Sequence, residues 1–188
     1  MEARERWLQR IVLTDPQRMV FLDETGAKTN MTRLYGRARK GRRVKDHAPH
    51  GHWNTTTLVA AVGCTGASAP MVLDGSMDGA AFEAYVEQVL CPTLKPGMIV
   101  AMDNLRPHKT AKVLALVKGA GAEIWFLPPY SPDFNPIEMM WSKVKTYLRA
   151  IKARSKEGLW EAIGEALDTV TKEDSEAWFK HCCVGIKS

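Results

Sequence analysis

Cysteine is scarce in this sequence and is not arranged for chemistry. Cys64, Cys91, Cys182 and Cys183 form no CxxC pair and no zinc-type spacing with histidine. Scattered among mostly apolar neighbours, they suggest burial in a reducing cytosol. A run of eighteen apolar residues is also missing, which excludes a helical membrane span. The start, MEARERWLQR, is charged and lacks the apolar stretch of a secretory signal, so a cytoplasmic location is expected. Internal repeats, linkers and low-complexity segments are absent too. What remains is 188 residues with 45% hydrophobic content, enough for one domain with a real core.

Acidic residues are missing from two stretches of the chain. Arg33 to Lys45 contains seven basic residues (Arg33, Arg37, Arg39, Lys40, Arg42, Arg43, Lys45) and no acid. Lys143 to Lys156 contains six more (Lys143, Lys145, Arg149, Lys152, Arg154, Lys156), again with no acid. A charge run is usually a solvated face. With a net charge of +5, and with both runs close in sequence to candidate catalytic carboxylates, these read as phosphate-binding surfaces.

Periodicity and turn residues organise the chain into one α/β unit. Residues 1–18 read as a short helical lead-in stopped by Asp15-Pro16, ahead of a catalytic domain over 19–184. Met19–Leu22 reads as a buried strand, and Thr32–Tyr35 with Arg42–Val44 as short strands paired across a basic turn. Asn54–Val62 and Ala69–Leu73 flank the turn Gly63–Gly66 as a hairpin. A helix from Asp78-Gly79 to about Leu90 and a strand ending at Asp103 follow. Next come a helix over 109–118, a strand over 123–127, and helices at about 136–152, 156–168 and 172–182. This order predicts a mixed sheet covered by helices on both faces.

Three carboxylates carry the chemistry. Asp23 follows the apolar run Met19–Leu22, Asp103 follows Met98–Met102, and Glu138 opens a helix after the loop Pro128–Pro136. Acids at the ends of buried strands sit at the rim of a sheet, where open α/β folds place ligands. Brought together, they would repel one another unless divalent cations neutralised them. Mg²⁺ suits such an oxygen site because it keeps several waters and needs few carboxylates. Two ions about 3.5–4 Å apart can activate water and stabilise the leaving oxygen of a phosphodiester. The expected ligands are therefore Asp23, Asp103 and Glu138.

Neighbouring residues support or compete with that reading. Strand alternation sends Glu24 to the face opposite Asp23, in a structural or supporting role. Asn104 and His108 either position substrate and metal-bound water, or form an Asx turn and start the next helix. His50, His52 and Trp53 lack a third ligand nearby and read as loop residues close to DNA. At about 100° per residue, Glu138, Ser142, Lys145, Arg149, Lys152 and Lys156 fall within about 40° of one line. Glu138 thus heads a basic stripe along which DNA can lie.

Several segments together resemble the catalytic domain of DDE transposases of the mariner-like superfamily, most closely the bacterial insertion-sequence-630 branch. They are Phe21–Gly26, Arg33–Ala38, Gly51-His52-Trp53, Met102–Leu105 with His108, and Leu127–Glu138, with 34 residues between Asp103 and Glu138. The resemblance covers about residues 18–180. It implies an RNase H-like fold, a five-stranded mixed sheet with helices on both faces, and a triad of Asp23, Asp103 and Glu138. It further implies two Mg²⁺ ions (Mn²⁺ as substitute), cleavage at transposon ends and strand transfer into TA targets. Asn135 belongs to the same motif and is expected to position substrate or support a ligand. Arg37, Arg39, Lys40, Arg42, Arg43, Lys145, Arg149 and Lys152 are the expected DNA contacts. The expected partners are double-stranded DNA and a second copy of the chain. Members of the family carry helix-turn-helix segments ahead of the catalytic part. Only about eighteen residues precede the first motif here, so such a segment is expected on an upstream polypeptide or through a frameshift fusion. Arg106-Pro107 departs from the small polar residues common in relatives. The competing readings are an inactive DNA-binding remnant and an RNase H-like nuclease with another nucleic-acid substrate.

Overall fold

The computed structural model describes residues 2–47 and 55–184 of the chain. Helix α1 (Glu2–Val12) leads into β1 (Met19–Ala27), and the hairpin β2 (Thr56–Gly63) and β3 (Gly66–Asp74) follows. Then come α2 (Gly79–Tyr85), β4 (Ile99–Met102), α3 (Ala111–Gly119) and β5 (Glu123–Phe126). The last three helices are α4 (Pro136–Ile151), α5 (Lys156–Asp168) and α6 (Lys172–Phe179). The five strands lie in the order β3-β2-β1-β4-β5; β1 pairs antiparallel with β2 and parallel with β4.

Strict alternation divides the core in two. Met19 and Phe21 of β1, Leu58, Ala60 and Val62 of β2, and Ile99 and Ala101 of β4 face one layer, formed by α1, α4, α5 and α6. Val20, Leu22, Val59, Ala61, Val100 and Met102 face the other, covered by α2 and α3. β4 is buried on both faces and reads as a continuous apolar run, as a central parallel strand should. The mixed sheet between two helical layers is the expected RNase H-like arrangement.

Two segments differ from the sequence reading. β1 does not stop at Leu22: its pairing with β2 continues through Ala27↔Thr56, because the antiparallel neighbour supplies ladder partners after β4 has ended. The segments Thr32–Tyr35 and Arg42–Val44 are not strands. Their basic residues are exposed and offer no apolar face to bury, although a Cβ on Gly36 would sit 2.8 Å from Val44 Cγ1. His50, Gly51, His52 and Trp53 lie outside the described residues.

Helix α1 is joined to the core. Trp7 (5% exposed) and Ile11 (3%) are buried, and Trp7 meets Trp125 of β5 edge-on with ring centroids 6.1 Å apart. Trp7→Ala is expected to cost about 3–5 kcal/mol through the cavity it leaves, lowering the thermal midpoint by about 10 °C. A change of only a degree or two in calorimetry would show that α1 is not part of this core.

Candidate active site

The parallel register builds the site. The last pair between β1 and β4 is Leu22↔Met102, so Asp23 and Asp103 emerge side by side one residue later. Alternation turns both toward the layer that contains α4. Glu138 lies in the first turn of α4, where its charge is favoured by the helix dipole. The short 3₁₀ turn Pro132–Phe134 and Pro136 at the first helical position set that helix's start. All three acids line one cavity of about 620 Å³, together with Glu24, Asn104 and Asn135. The triad expected from sequence is therefore brought together. Among the described residues, no three His, Cys, Asp or Glu side chains yet form a closed set of metal ligands.

Electrostatics explains why the set is open. Burial pushes Asp23 up to about 7, its backbone contact with the Glu24 N–H (2.8 Å) pulls it down, and repulsion from Glu138, Asp103 and Glu24 adds to the rise. Asp103 has a different neighbour. His108 Nδ1 lies 2.5 Å from Asp103 Oδ1, a close ionic contact that is not aligned as a hydrogen bond. On its other side His108 Nε2 is 3.4 Å from Glu24 Oε1. The ring is 1% exposed and packs on Phe82 at 4.3 Å between centroids. Burial alone would lower the imidazole's pKa; the two carboxylates, Asp103 before Glu24, outweigh it and raise it to about 9.

These contacts decide the alternatives left open above. Thr110, not His108, caps α3, through its Oγ1 and the Val113 N–H at 3.3 Å. The Asx turn belongs to Asp103, which accepts from the Leu105 N–H at 3.3 Å, while Asn104 stands exposed on the cavity rim. Glu24 lines the cavity itself as well as meeting His108. Asn135 is 4% exposed, and its Oδ1 has no hydrogen-bond partner among the described residues. An orphaned buried acceptor beside a cavity is costly without a partner and marks a place for one.

The expected DNA contacts fare unequally. The seven basic residues from Arg33 to Lys45 are exposed and pair with no described carboxylate. Lys145 and Arg149 likewise have no such partner, but Lys152 is held by Asp46 at 2.5 Å and Lys156 by Asp74 at 2.5 Å. Lys143 is taken by Asp174 and the Thr169 carbonyl. The stripe is thus shorter than the helical wheel suggests, because α4 ends at Ile151 and the cations beyond it pair with Asp46 and with Asp74 of β3.

Sequence reasoning missed Arg4, which makes a forked pair with Asp133 (3.0 and 2.5 Å) and donates to Ser131 Oγ at 2.8 Å. No pattern within α1 signals a contact 127–129 residues away. It also missed Tyr130, which is 99% exposed at φ 54 beside the cavity.

The two perturbed groups set a pH dependence. Asp23's folded pKa lies above its unfolded value, so the folded state binds the extra proton between about pH 4 and 7. Stability from this source falls as pH rises through that window. His108 contributes stability that is complete below about 6.5 and lost as pH rises through about 9. The metal-free protein is therefore expected to melt progressively lower from pH 5 to 9, and Asp23→Asn to flatten the first half of that decline. A midpoint that rises over the same range, by differential scanning fluorimetry, would contradict these environments.

Comparisons with known proteins agree with this fold. Residues 18–159 match the family model described as DDE superfamily endonuclease. The Tcb2 transposase of a transposable element in Caenorhabditis briggsae is 24% identical over 110 residues, 52% of this chain and 40% of that protein. A solved pre-cleavage Mos1 transpososome superposes with a TM-score of 0.79 at 16% identity, covering 97% of this chain and 58% of the Mos1 chain. The Mos1 strand transfer complex gives 0.76 at 18% identity, covering 98% and 57%. The Mos1 catalytic domain with raltegravir and Mg gives 0.71 at 14% identity, covering 97% and 89%. The chain thus spans less than two thirds of the full-length relatives it matches. With the family model covering most of its length and Asp23, Asp103 and Glu138 in one cavity, the chain belongs to the DDE superfamily endonucleases.

Proposed function

We propose that this chain is the catalytic domain of a transposase, cutting DNA at transposon ends and joining the freed strands to target DNA. The observation that carries this reading is the convergence of Asp23, Asp103 and Glu138, from β1, β4 and α4, on one cavity. Nothing among the described residues neutralises Asp23, which rises to about 7 instead. An all-oxygen donor set held under repulsion fits hard divalent ions such as Mg²⁺ or Mn²⁺. The related Mos1 structures include complexes with Mg and with Mn. Asp23, Asp103 and Glu138 are the proposed ligands for two ions. Bound there, the ions would supply Lewis acidity for attack on a phosphodiester and charge for the departing oxygen.

The chain's own groups have distinct tasks. His108, braced by Glu24, orients the Asp103 carboxylate, as second partners do for metal ligands. Asn135 Oδ1 is available to accept from a bound water or a substrate hydroxyl. Lys145, Arg149 and the exposed run Arg37, Arg39, Lys40, Arg42 and Arg43 are proposed to hold the duplex, while Lys152 anchors that loop through Asp46.

As parts of the same proposal, the catalytic unit includes α1 as well as residues 19–184, and the chain works as a homodimer on DNA. A helix-turn-helix polypeptide or fused segment reads the ends, and TA is the target. Within the superfamily, the insertion-sequence-630 branch is our placement, which sets the reaction on bacterial DNA in the cytoplasm. No described helix is long and apolar enough to cross a membrane.

With Mg²⁺ or Mn²⁺, the protein is expected to nick duplex DNA and to join pre-cut ends to a second duplex. Asp103→Ala is expected to lower both rates at least a thousandfold while the protein stays folded. Binding without cleavage under any metal would favour an inactive remnant, and cleavage without joining a nuclease. Cleavage that survives Asp103→Ala would show that the triad is misassigned.

A further inference from the structure

We infer that Arg6 and Arg10 of α1 bind a backbone phosphate of the strand that enters the carboxylate cavity, a site that extends the active site proposed above and rests on that reading. A second cavity of about 260 Å³ is lined by Arg6, Arg10, Trp7 and Asn104. It meets the first at Asn104, Leu127, Pro128 and Pro129, which line both. The charge reverses across that shared rim. Asp23, Glu24, Asp103 and Glu138 line the first cavity, whereas no acid lines the second.

A strand whose scissile phosphate sits among four carboxylates has neighbouring phosphates that those same carboxylates repel. Guanidinium groups one step away offset the repulsion and offer paired donors that match a phosphate's oxygens. Arg6 is exposed and pairs with no described carboxylate. Arg10 lies over the Trp125 ring with its Cζ 3.4 Å from the centroid. Its one acidic neighbour among the described residues, Glu123, is 3.7 Å away, and both side chains are more than half exposed (54% and 60%). Such a pair is weak and leaves most of the donors free. The stacking on Trp125 holds the guanidinium in place for a ligand at small entropic cost.

The spacing between the two cavities is fixed because α1 is clamped at both ends. Trp7 and Ile11 enter the core, and Arg4 forks onto Asp133 and Ser131 of the loop that leads to Glu138 while lying 4.3 Å over Phe134. The arginines and the carboxylates therefore belong to one rigid wall.

The test uses a fluorescein-labelled 30-base-pair duplex with Mg²⁺, on an Asp103→Asn background so that the strand stays uncut, read by anisotropy across NaCl concentrations. Arg6→Ala/Arg10→Ala is expected to weaken binding about tenfold or more at 0.1 M salt and to reduce the slope of log K against log salt by about 0.9, the value for one phosphate contact. Arg6→Ala alone, at a site with no packing role, is expected to remove about half of that slope without moving the thermal midpoint. Arg6→Lys/Arg10→Lys is expected to keep the slope. Unchanged affinity and slope in the alanine variants, from a parent chain that binds this duplex and nicks DNA when Asp103 is intact, would overturn this inference alone. A parent chain that neither binds nor nicks duplex would sink the reading of the whole site, and the phosphate site with it.

Discussion

The half-burial of Asp23 beside two further carboxylates at the rim of the sheet is the constraint around which this molecule is built. Folding places Asp23 beside Asp103, and α4 brings Glu138 to the same cavity. The cost is visible in Asp23, which burial first and the neighbouring carboxylates second push up to about 7, and in His108, which is drawn against Asp103 and Glu24. A protein selected for stability alone would replace these acids. Their grouping at the edge of the core, around the cavity that Asn135 and its orphaned acceptor also line, is the kind of strain that active sites store.

Charge is then partitioned around that centre. Acids line the cavity, while cations occupy α1, the Arg33–Lys45 segment and the upper part of α4. The cations that follow α4 serve structure: Lys152 holds Asp46, Lys156 at the start of α5 holds Asp74 at the end of β3, and Arg154 donates to the Thr29 and Met31 carbonyls at 2.7 and 3.0 Å. A long basic run in sequence is thus not one surface. Part of it binds the protein to itself, so that the remainder is presented in a fixed place.

Much of this was legible in the sequence, for local reasons. β4 and the α4 amphipathicity follow from short-range periodicity, the meeting of Asp23 and Asp103 from acids that end apolar runs, and the place of Glu138 from the Pro-rich loop that opens its helix. The boundary of β1 was not legible, because its continuation to Ala27 depends on pairing with β2, which begins 29 residues later at Thr56. The basic segment read as two paired strands because pattern alone cannot reveal that no sheet edge receives it. His108 was undecided between a helix start and a site residue. Only the packing of α2 beneath it, with Phe82 against the ring, settles that it bridges Asp103 and Glu24. The contribution of α1 was hidden for the same reason, since Arg4 finds Asp133 only through the folded sheet.

The most direct test is anomalous scattering from crystals grown at pH 8 with saturating Mn²⁺, where the Asp23 carboxylate is ionised. Two manganese peaks are expected in the carboxylate cavity, touching Asp23, Asp103 and Glu138, with His108 still against Asp103. A cavity with no manganese at saturation, or ions bound only elsewhere on the chain, would contradict a catalytic centre built on these three acids.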